Sequence, residues 1–361
     1  MNILHVVFSF NNGGIENLLV DLINNWSYED KNYLCIINDN YDLQLIKKIG
    51  ATNIEVIKMN RPIGGKKIKY IKLLNEIIKN YNINVLHCHS NSSVKFCIYP
   101  KIVNPNLKLV YTVHDTMIYQ EISKIDVLIH KIFINEIVAI SGSVYETISK
   151  RLGKRSNITT IYNAVDIKKF KLQESENKKD ISRLNICCVA RLDYKIKGQD
   201  ILIKALGELK KKRSDFKCVF IGGEPTETNH NLNELKALAD KLNVYENIAF
   251  LGNCNDVPQI IRDFDICIVP SRKEGFGISI IEAFLSKVFV IASDIEGPRE
   301  LIGDNEYGYL FEVENFKKLS NLIDGVYSID LENKVQKSYN YAIEKFAIEE
   351  MANNLRKLYI K

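Results

Sequence analysis

Long apolar runs are missing from this 361-residue chain. No stretch approaches the roughly 18 consecutive apolar residues of a membrane-spanning helix. The apolar start, Ile3 to Phe10, has no basic residues before it and no small-residue cleavage site behind it. It therefore reads as a buried first strand rather than a secretory signal. Paired cysteine motifs are missing too. Cys35, Cys88, Cys97, Cys187, Cys188, Cys218, Cys254 and Cys267 show no C-x-x-C spacing, and most sit inside apolar runs. This excludes a disulfide framework or a cysteine zinc site and fits reduced core thiols in a cytosolic setting. Charge of one sign is scarce: Lys+Arg 49 against Asp+Glu 44 leaves +5, short of the concentrated basic face that nucleic-acid binding requires. There is no internal repeat and no low-complexity tract. Without a G-x-G-x-x-G, no NAD site is indicated.

What is present is a globular composition, 46% hydrophobic and 26% charged, on a chain long enough for two domains. Short apolar runs alternate with longer amphipathic ones. Strands are expected at Ile3–Phe8, Tyr33–Ile37, Val85–Cys88, Lys108–Val113 and Glu136–Ile140, with helices such as Ile15–Asn25 and Lys69–Asn80 between them. Such alternation implies parallel sheets covered on both faces. The polar stretch Lys171–Arg183 reads as a linker. A second series follows, with strands at Leu184–Ala190, Lys217–Ile221, Ile248–Leu251, Ile266–Val269 and Phe289–Ala292, helices near Asp200–Lys211 and Leu232–Leu242, and a helical end at Lys334–Leu358. The expected architecture is α/β: a Rossmann-like domain over residues 1–170, a second over 171–344, and a C-terminal helix at about 345–361 packing back on the first. Ligands of open α/β sheets bind beyond the carboxyl ends of the strands, so residues just after strands carry the interest.

After the first strand come Gly13, Gly14 and Glu16, where glycines and a helix start can face an anion; a plain strand–helix turn is the alternative. Arg191 ends a strand of the second series, and Lys197 follows beside Gly198. The two cations suit a diphosphate, one as a planar fork and one as a point charge. The densest segment is Pro270-Ser271-Arg272-Lys273-Glu274-Gly275-Phe276-Gly277-Ile278, leading into a helix with Glu282 eight residues beyond Glu274. Loop amides and the positive helix end would face an anion, with carboxylates to accept from sugar hydroxyls.

At these residues the chain resembles the retaining GT-B glycosyltransferases often called family 4, whose E-x7-E signature matches Glu274 and Glu282 in EGFGISIIE. GGIE at 13–16, HCHS at 87–90, TVHD at 112–115, AISGS at 139–143, IYNAVD at 161–166, VARLDYKIKG at 189–198, IGGEP at 221–225 and EGPREL at 296–301 resemble further family segments in the family's order. The resemblance implies a GT-B fold, two Rossmann-like domains facing across a cleft. It implies transfer of a hexose-type sugar from a nucleotide diphosphate, UDP being the frequent family donor. The acceptor hydroxyl would belong to a glycan or lipid-linked molecule of a bacterial surface polysaccharide pathway. On this resemblance Arg191, Lys197, Glu274 and His114 are the catalytic set. Gly13, Gly14, Gly223, Phe276, Gly277, Ile278 and Glu282 bind the donor, and Glu16, His89 and Asn163 lie on the acceptor side. No metal or other cofactor is expected. A cytoplasmic enzyme is implied, at the inner face of the membrane through a basic amphipathic helix near 66–79, although a wet domain helix explains those lysines equally well.

The sequence departs from the family where Lys287 and Phe289 replace a usual Gly and Pro, and Ala164 replaces a usual Gly, which puts the geometry after the helix in question. Asp263-Phe264-Asp265 resembles a metal-holding D-x-D but precedes a strand. His87 and His89 share a strand face with no third ligand evident, so a cleft or packing role is expected over a metal. A nucleotide-sugar epimerase, a phosphorylase or a non-catalytic sugar-binding protein on the same scaffold are the alternatives.

Overall fold

The structure is a computed structural model and describes residues 1–50, 54–170, 182–224, 228–254 and 256–361. Most of the expected linker, and Pro225 of IGGEP, lie outside the described residues. Two compact units are present: Met1–Asp166 with Ile348–Lys361, and Ile167–Ala347.

In the first unit the strands are β1 (Asn2–Val7), β2 (Lys31–Asn38), β3 (Ile54–Arg61), β4 (Val85–Cys88), β5 (Lys108–Val113), β6 (Glu136–Ala139) and β7 (Ile158–Thr160). They form an all-parallel sheet in the order β3-β2-β1-β4-β5-β6-β7. The second unit holds β8 (Leu184–Val189), β9 (Phe216–Ile221), β10 (Ile248–Gly252), β11 (Ile266–Val269), β12 (Phe289–Ser293) and β13 (Tyr309–Phe311), again all parallel, in the order β10-β9-β8-β11-β12-β13. Both orders reverse beside the first strand, at β1/β4 and β8/β11, so each unit has the doubly wound topology with a switch point at its centre. The central strands are buried along nearly their whole length, which is why their sequences run apolar without alternation.

Edge strands read less clearly. β3 alternates half-buried and exposed residues, IEVIKMNR, and β7 and β13 are three residues each; none of the three was expected from the sequence. Polar residues at the strand ends start the helices. Ser90, Asp115, Ser123 and Ser141 each cap one by accepting a backbone N–H, Ser90 in a reciprocal capping box with Ser93. Seven of the eight cysteines are free and buried, and Cys254 is free and partly exposed; burial pushes the Cys35 thiol up to about 12.

The helical end of the chain is not one helix. Leu331–Lys345 belongs to the second unit, the backbone breaks at Phe346 and Ala347, and Ile348–Ile360 packs in the first unit. There Leu355, Leu358 and Tyr359 join the core with Ile3, Val7, Trp26, Val85 and Val110. Arg356 donates to Asp30 at 2.7 Å, and the amino terminus reaches the same carboxylate at 2.8 Å. Burial raises the Asp30 pKa, but hydrogen bonds from the amino terminus and Arg356 outweigh it and hold the carboxyl below its usual range. The Tyr359 hydroxyl meets His87 Nδ1 at 2.6 Å inside the core. Tyr359→Phe leaves that nitrogen buried without a partner and should cost about 1–3 kcal/mol. Chemical denaturation read by circular dichroism checks this; an unchanged midpoint would show that the bond adds nothing.

Candidate active site

In the second unit the candidate residues come from adjacent carboxyl ends. β8 and β11 pair at Ile186–Ile266 and Cys187–Cys267, so the segment after β8, with Arg191 and Lys197, lies beside the loop after β11, with Ser271 to Gly277. Lys197 Nζ contacts Glu274 Oε2 at 2.7 Å, and Ser271 donates to the same oxygen at 3.3 Å. Both charged side chains are mostly covered, at 19% and 16% exposure, so the pair is shielded from solvent screening far more than an open surface pair. Arg191 is exposed and makes no side-chain hydrogen bond or ion pair among the described residues. Its carbonyl is fixed by the Gln199 side chain at 2.7 Å.

The helix Ile278–Leu285 begins at Gly277, which sits at φ 108° and offers no side-chain cap. Its first amides are therefore open to a ligand's anion, with the helix dipole behind them. Phe276 is buried and meets Phe346 edge-on. Glu282 lies in the second turn, partly buried. Gly297, in the helix Glu296–Ile302, brings that helix against the loop: a Cβ there would come within 2.8 Å of Glu274 O and 2.9 Å of Phe276 N. After β9, Gly223 N–H donates to Asn253 Oδ1 at 2.8 Å, and Gly223 O accepts from Leu192 N–H at 2.9 Å.

A residue the sequence reading passed over holds this loop in place. Arg272 forks onto Asp200 with bonds of 2.7 and 2.9 Å, donates to Tyr194 O at 2.6 Å and also pairs with Glu314. Its own N–H donates to Ile196 O at 2.8 Å. The hydrogen bonds from Asp200 outweigh burial and raise the Arg272 pKa further. Arg272 thus ties the β11 loop to the segment carrying Lys197. An arginine three residues after a strand gives no sign of its partner, because Asp200 lies 72 residues away.

In the first unit Gly13 is the residue before the helix Gly14–Asn24, and Glu16 stands in its first turn with Oε2 2.5 Å from where a Gly13 Cβ would be. Gly14 is exposed. His114 follows β5, half-buried, with Nε2 3.3 Å from His89 Nδ1. His89 is buried, and Asn163 is buried with Oδ1 unpartnered among the described residues.

The doubtful positions have structural explanations. Lys287 takes φ 56° at the end of the helix Ile278–Leu285, where Val288 N–H donates to Ala283 O at 2.9 Å and Lys287 N–H to Phe284 O at 3.0 Å. This is the left-handed helix end that glycine usually supplies, and Lys287 Nζ lies 4.8 Å from the centre of the Tyr339 ring. Phe289 starts β12, is buried and packs edge-on against Tyr309. Asp265 Oδ2 accepts from the Asn185 backbone N–H at 2.9 Å, so this member of the D-x-D clasps the amino end of β8. His87 and His89 do have a third imidazole beside them, His5, with possible ligand atoms all within 4.8 Å of one another; the expectation that none was near is corrected by the pairing of β1 with β4.

Comparison with known proteins agrees with this architecture. The model of glycosyltransferase family 4 matches residues 12–169, and that of glycosyl transferases group 1 matches residues 166–345. The chain belongs to this group of glycosyltransferases, and it is an α/β enzyme of GT-B fold. It is 24% identical over 92% of its length to the Campylobacter jejuni N-acetylgalactosamine-N,N'-diacetylbacillosaminyl-diphospho-undecaprenol 4-alpha-N-acetylgalactosaminyltransferase, covering 91% of that protein. It is 30% identical to the putative glycosyltransferase EpsD of Bacillus subtilis, a match over 36% of this chain that spans only 33% of EpsD. Among solved structures, Anabaena HepE in complex with UDP superposes with a TM-score of 0.85 at 20% identity, covering 99% of each chain. The relatives compared here act in the synthesis of surface glycans where their names state a pathway.

Gly198 decides whether Lys197 can reach Glu274. At φ 68° a Cβ there would fall 1.9 Å from Pro270 O. Gly198→Ala should therefore cost roughly 2–4 kcal/mol through backbone strain and overlap, whereas Gly50→Ala, with nothing within 4 Å, should be close to neutral. Melting both variants beside the native chain checks this; equal midpoints would refute the contact between the two loops.

Proposed function

We propose that the chain transfers a hexose-type sugar from a nucleotide diphosphate to a hydroxyl of a glycan or lipid-linked acceptor, with retention of anomeric configuration, in the making of a bacterial surface polysaccharide. The observation that carries this reading is the Lys197–Glu274 pair, 2.7 Å apart, set beside the uncapped start of the helix Ile278–Leu285 and one strand over from the exposed Arg191. As the bond between the anomeric carbon and the phosphate oxygen breaks, negative charge grows on the diphosphate. Arg191, Lys197 and the amides from Gly277 onward meet that charge without reorganising. Glu274 and Glu282 accept from hydroxyls of the sugar and the ribose. The acceptor oxygen bonds to the anomeric carbon on the face the phosphate leaves, and its proton passes to the departing phosphate. Glu274 is already engaged by Lys197 and Ser271, which favours a role in holding hydroxyls over one as a covalent nucleophile. The HepE complexes with UDP and with UDP-glucose support a uridine donor, and the diphospho-undecaprenol in the Campylobacter enzyme's name supports a lipid-linked acceptor. Gly14 and His114 of the first unit complete the set, with the enzyme working at the cytoplasmic membrane face.

Arg191→Ala and Glu274→Ala should each lower transfer about a hundredfold or more, on the order of 3 kcal/mol, while melting like the native chain. A chelator should leave activity in place, because protein cations carry the phosphate charge. Transfer at the native rate by both variants would overturn the assignment, and conversion of the donor without acceptor would mark an epimerase.

Contact with an anionic bilayer belongs to the same reading. The helix Lys67–Asn80 exposes Lys67, Lys69, Lys72 and Lys79 beside Ile68, which is 73% exposed. The helix Lys124–Phe133 is turned inside out. Asp126 and His130 face the protein, held by Lys95 at 2.8 Å and by Tyr119 and Asn91 at 2.7 and 2.9 Å, while Ile125, Leu128 and Ile132 are 72%, 57% and 61% exposed between Lys124 and Lys131. An apolar stripe between lysines complements an acidic lipid surface. Cosedimentation with phosphatidylglycerol vesicles should exceed that with phosphatidylcholine. The double variant Ile125→Ser, Leu128→Ser should weaken it at least about tenfold; equal binding by both proteins would place the contact elsewhere.

A further inference from the structure

Four imidazoles gather on one face of the first sheet. His5 on β1 stands opposite His87 on the neighbouring β4. His89 lies two residues beyond His87, and His114 lies two beyond Thr112 of β5, so the pleat turns all of them to the same side. His87 is fully engaged. Nε2 meets Thr112 Oγ1 at 2.7 Å and Nδ1 meets the Tyr359 hydroxyl at 2.6 Å. The other three form a chain. His5 Nδ1 is 3.2 Å from His89 Nε2, and His89 Nδ1 is 3.3 Å from His114 Nε2. Burial lowers the pKa of His5 and of His114 to about 4, and holds that of His89 well below its usual value. All three are therefore neutral at physiological pH.

A neutral imidazole has one N–H and one lone pair. Two imidazole–imidazole bonds in series can then be made in only two ways, with every N–H pointing toward His5 or every N–H pointing toward His114. The tautomers of the three rings are locked to one another. The His5 end selects the direction. Its Nε2 is buried and unpartnered, and so is Oδ1 of Asn32. Asn32 is paired with Ile3 on the neighbouring strand and shares the sheet face of His5, and its side chain favours a proton on His5. An amide oxygen only accepts. His5 then carries its proton on Nε2 and accepts at Nδ1 from His89 Nε2–H, and His89 accepts at Nδ1 from His114 Nε2–H. His114 is left with a bare lone pair on Nδ1, the buried atom for which the protein supplies no partner.

We propose that Asn32, His5 and His89 are positioning residues that fix the ring and tautomer of His114, so that its Nδ1 accepts a hydrogen bond from a hydroxyl of the bound sugar or acceptor. This rests on the reading of His114 as a residue that touches substrate. A metal ion among His5, His87 and His89 is the competing use of the cluster, but it would have to displace hydrogen bonds at both His87 and the His5–His89 contact.

The test is nitrogen-15 NMR of the full chain with labelled histidine, the His114 signals assigned by their loss in His114→Gln. In the native protein His114 should be protonated on Nε2 and bare on Nδ1. His89→Leu should release it to a mixture of tautomers and lower kcat about tenfold, the worth of one hydrogen bond, with the affinity for UDP unchanged. His89→Gln, whose amide can accept from His114 and donate to His5, should restore most of the rate. A proton on Nδ1 of His114 in the native protein overturns the proposal without any variant having to fold. So does an unchanged His114 tautomer in folded His89→Leu. Stoichiometric transition metal in the purified protein, lost in His89→Gln, would overturn it in favour of a metal site. If His114→Gln itself transfers at the native rate, the reading of His114 fails, whatever its tautomer.

Discussion

A strand covered on both faces has almost no room for chemistry along its length, and this constraint arranges the rest of the molecule. The central strands of both sheets are apolar nearly throughout. Polar groups there would need partners that packed side chains cannot supply. Function is therefore pushed to the carboxyl ends, where helices begin and backbone N–H groups remain unspent. Gly13–Glu16 follows β1, His89 follows β4, His114 follows β5, Arg191 and Lys197 follow β8, Gly223 follows β9, and Glu274–Gly277 follows β11. The two sheets repeat the same strand order about their first strands, so each unit opens one such switch point.

The same constraint explains how much of the fold could be read before the structure was seen. The buried strands β4, β5 and β11 are legible to the residue, and the helix Ile278–Leu285 likewise, because continuous apolar runs bounded by polar caps have few other uses. Edge strands lose that signal. β3 reads IEVIKMNR because one side meets water, and β13 is too short to stand out. The break between Leu331–Lys345 and Ile348–Ile360 was invisible because both halves keep helical periodicity; only packing sends Tyr359 to Trp26 and His87 in the first unit.

Within the candidate site, residues adjacent in sequence to a strand end were legible and partnerships across the sheet were not. Lys197 and Glu274 could each be picked out, but their contact follows from β8 lying beside β11, which no local pattern encodes. Arg272 and Asp200 escaped notice for the same reason, and so did His5. A histidine in the middle of an apolar run looks like an ordinary core residue until β1 is seen to pair with β4.

The departures at Lys287 and Phe289 separate stability from site geometry. The helix Ile278–Leu285 has its first residue at the candidate phosphate cradle and its last eight residues on, about 12 Å away at 1.5 Å per residue. Lys287 lies past that far end and Phe289 at the amino end of β12, whereas Glu274, Gly277 and the segment after β8 lie at the carboxyl ends. A left-handed lysine costs on the order of 1 kcal/mol, and its ammonium over the Tyr339 ring returns part of that. Phe289 replaces an imino acid with a residue that donates its N–H to Asp265 O at 3.3 Å and fills the core against Tyr309. Both exchanges are absorbed by local packing at the end of the sheet that carries no proposed chemistry. The loop that holds Glu274 against Lys197 is set instead by Arg272, Gly198 and Gly297, and those three contacts are intact.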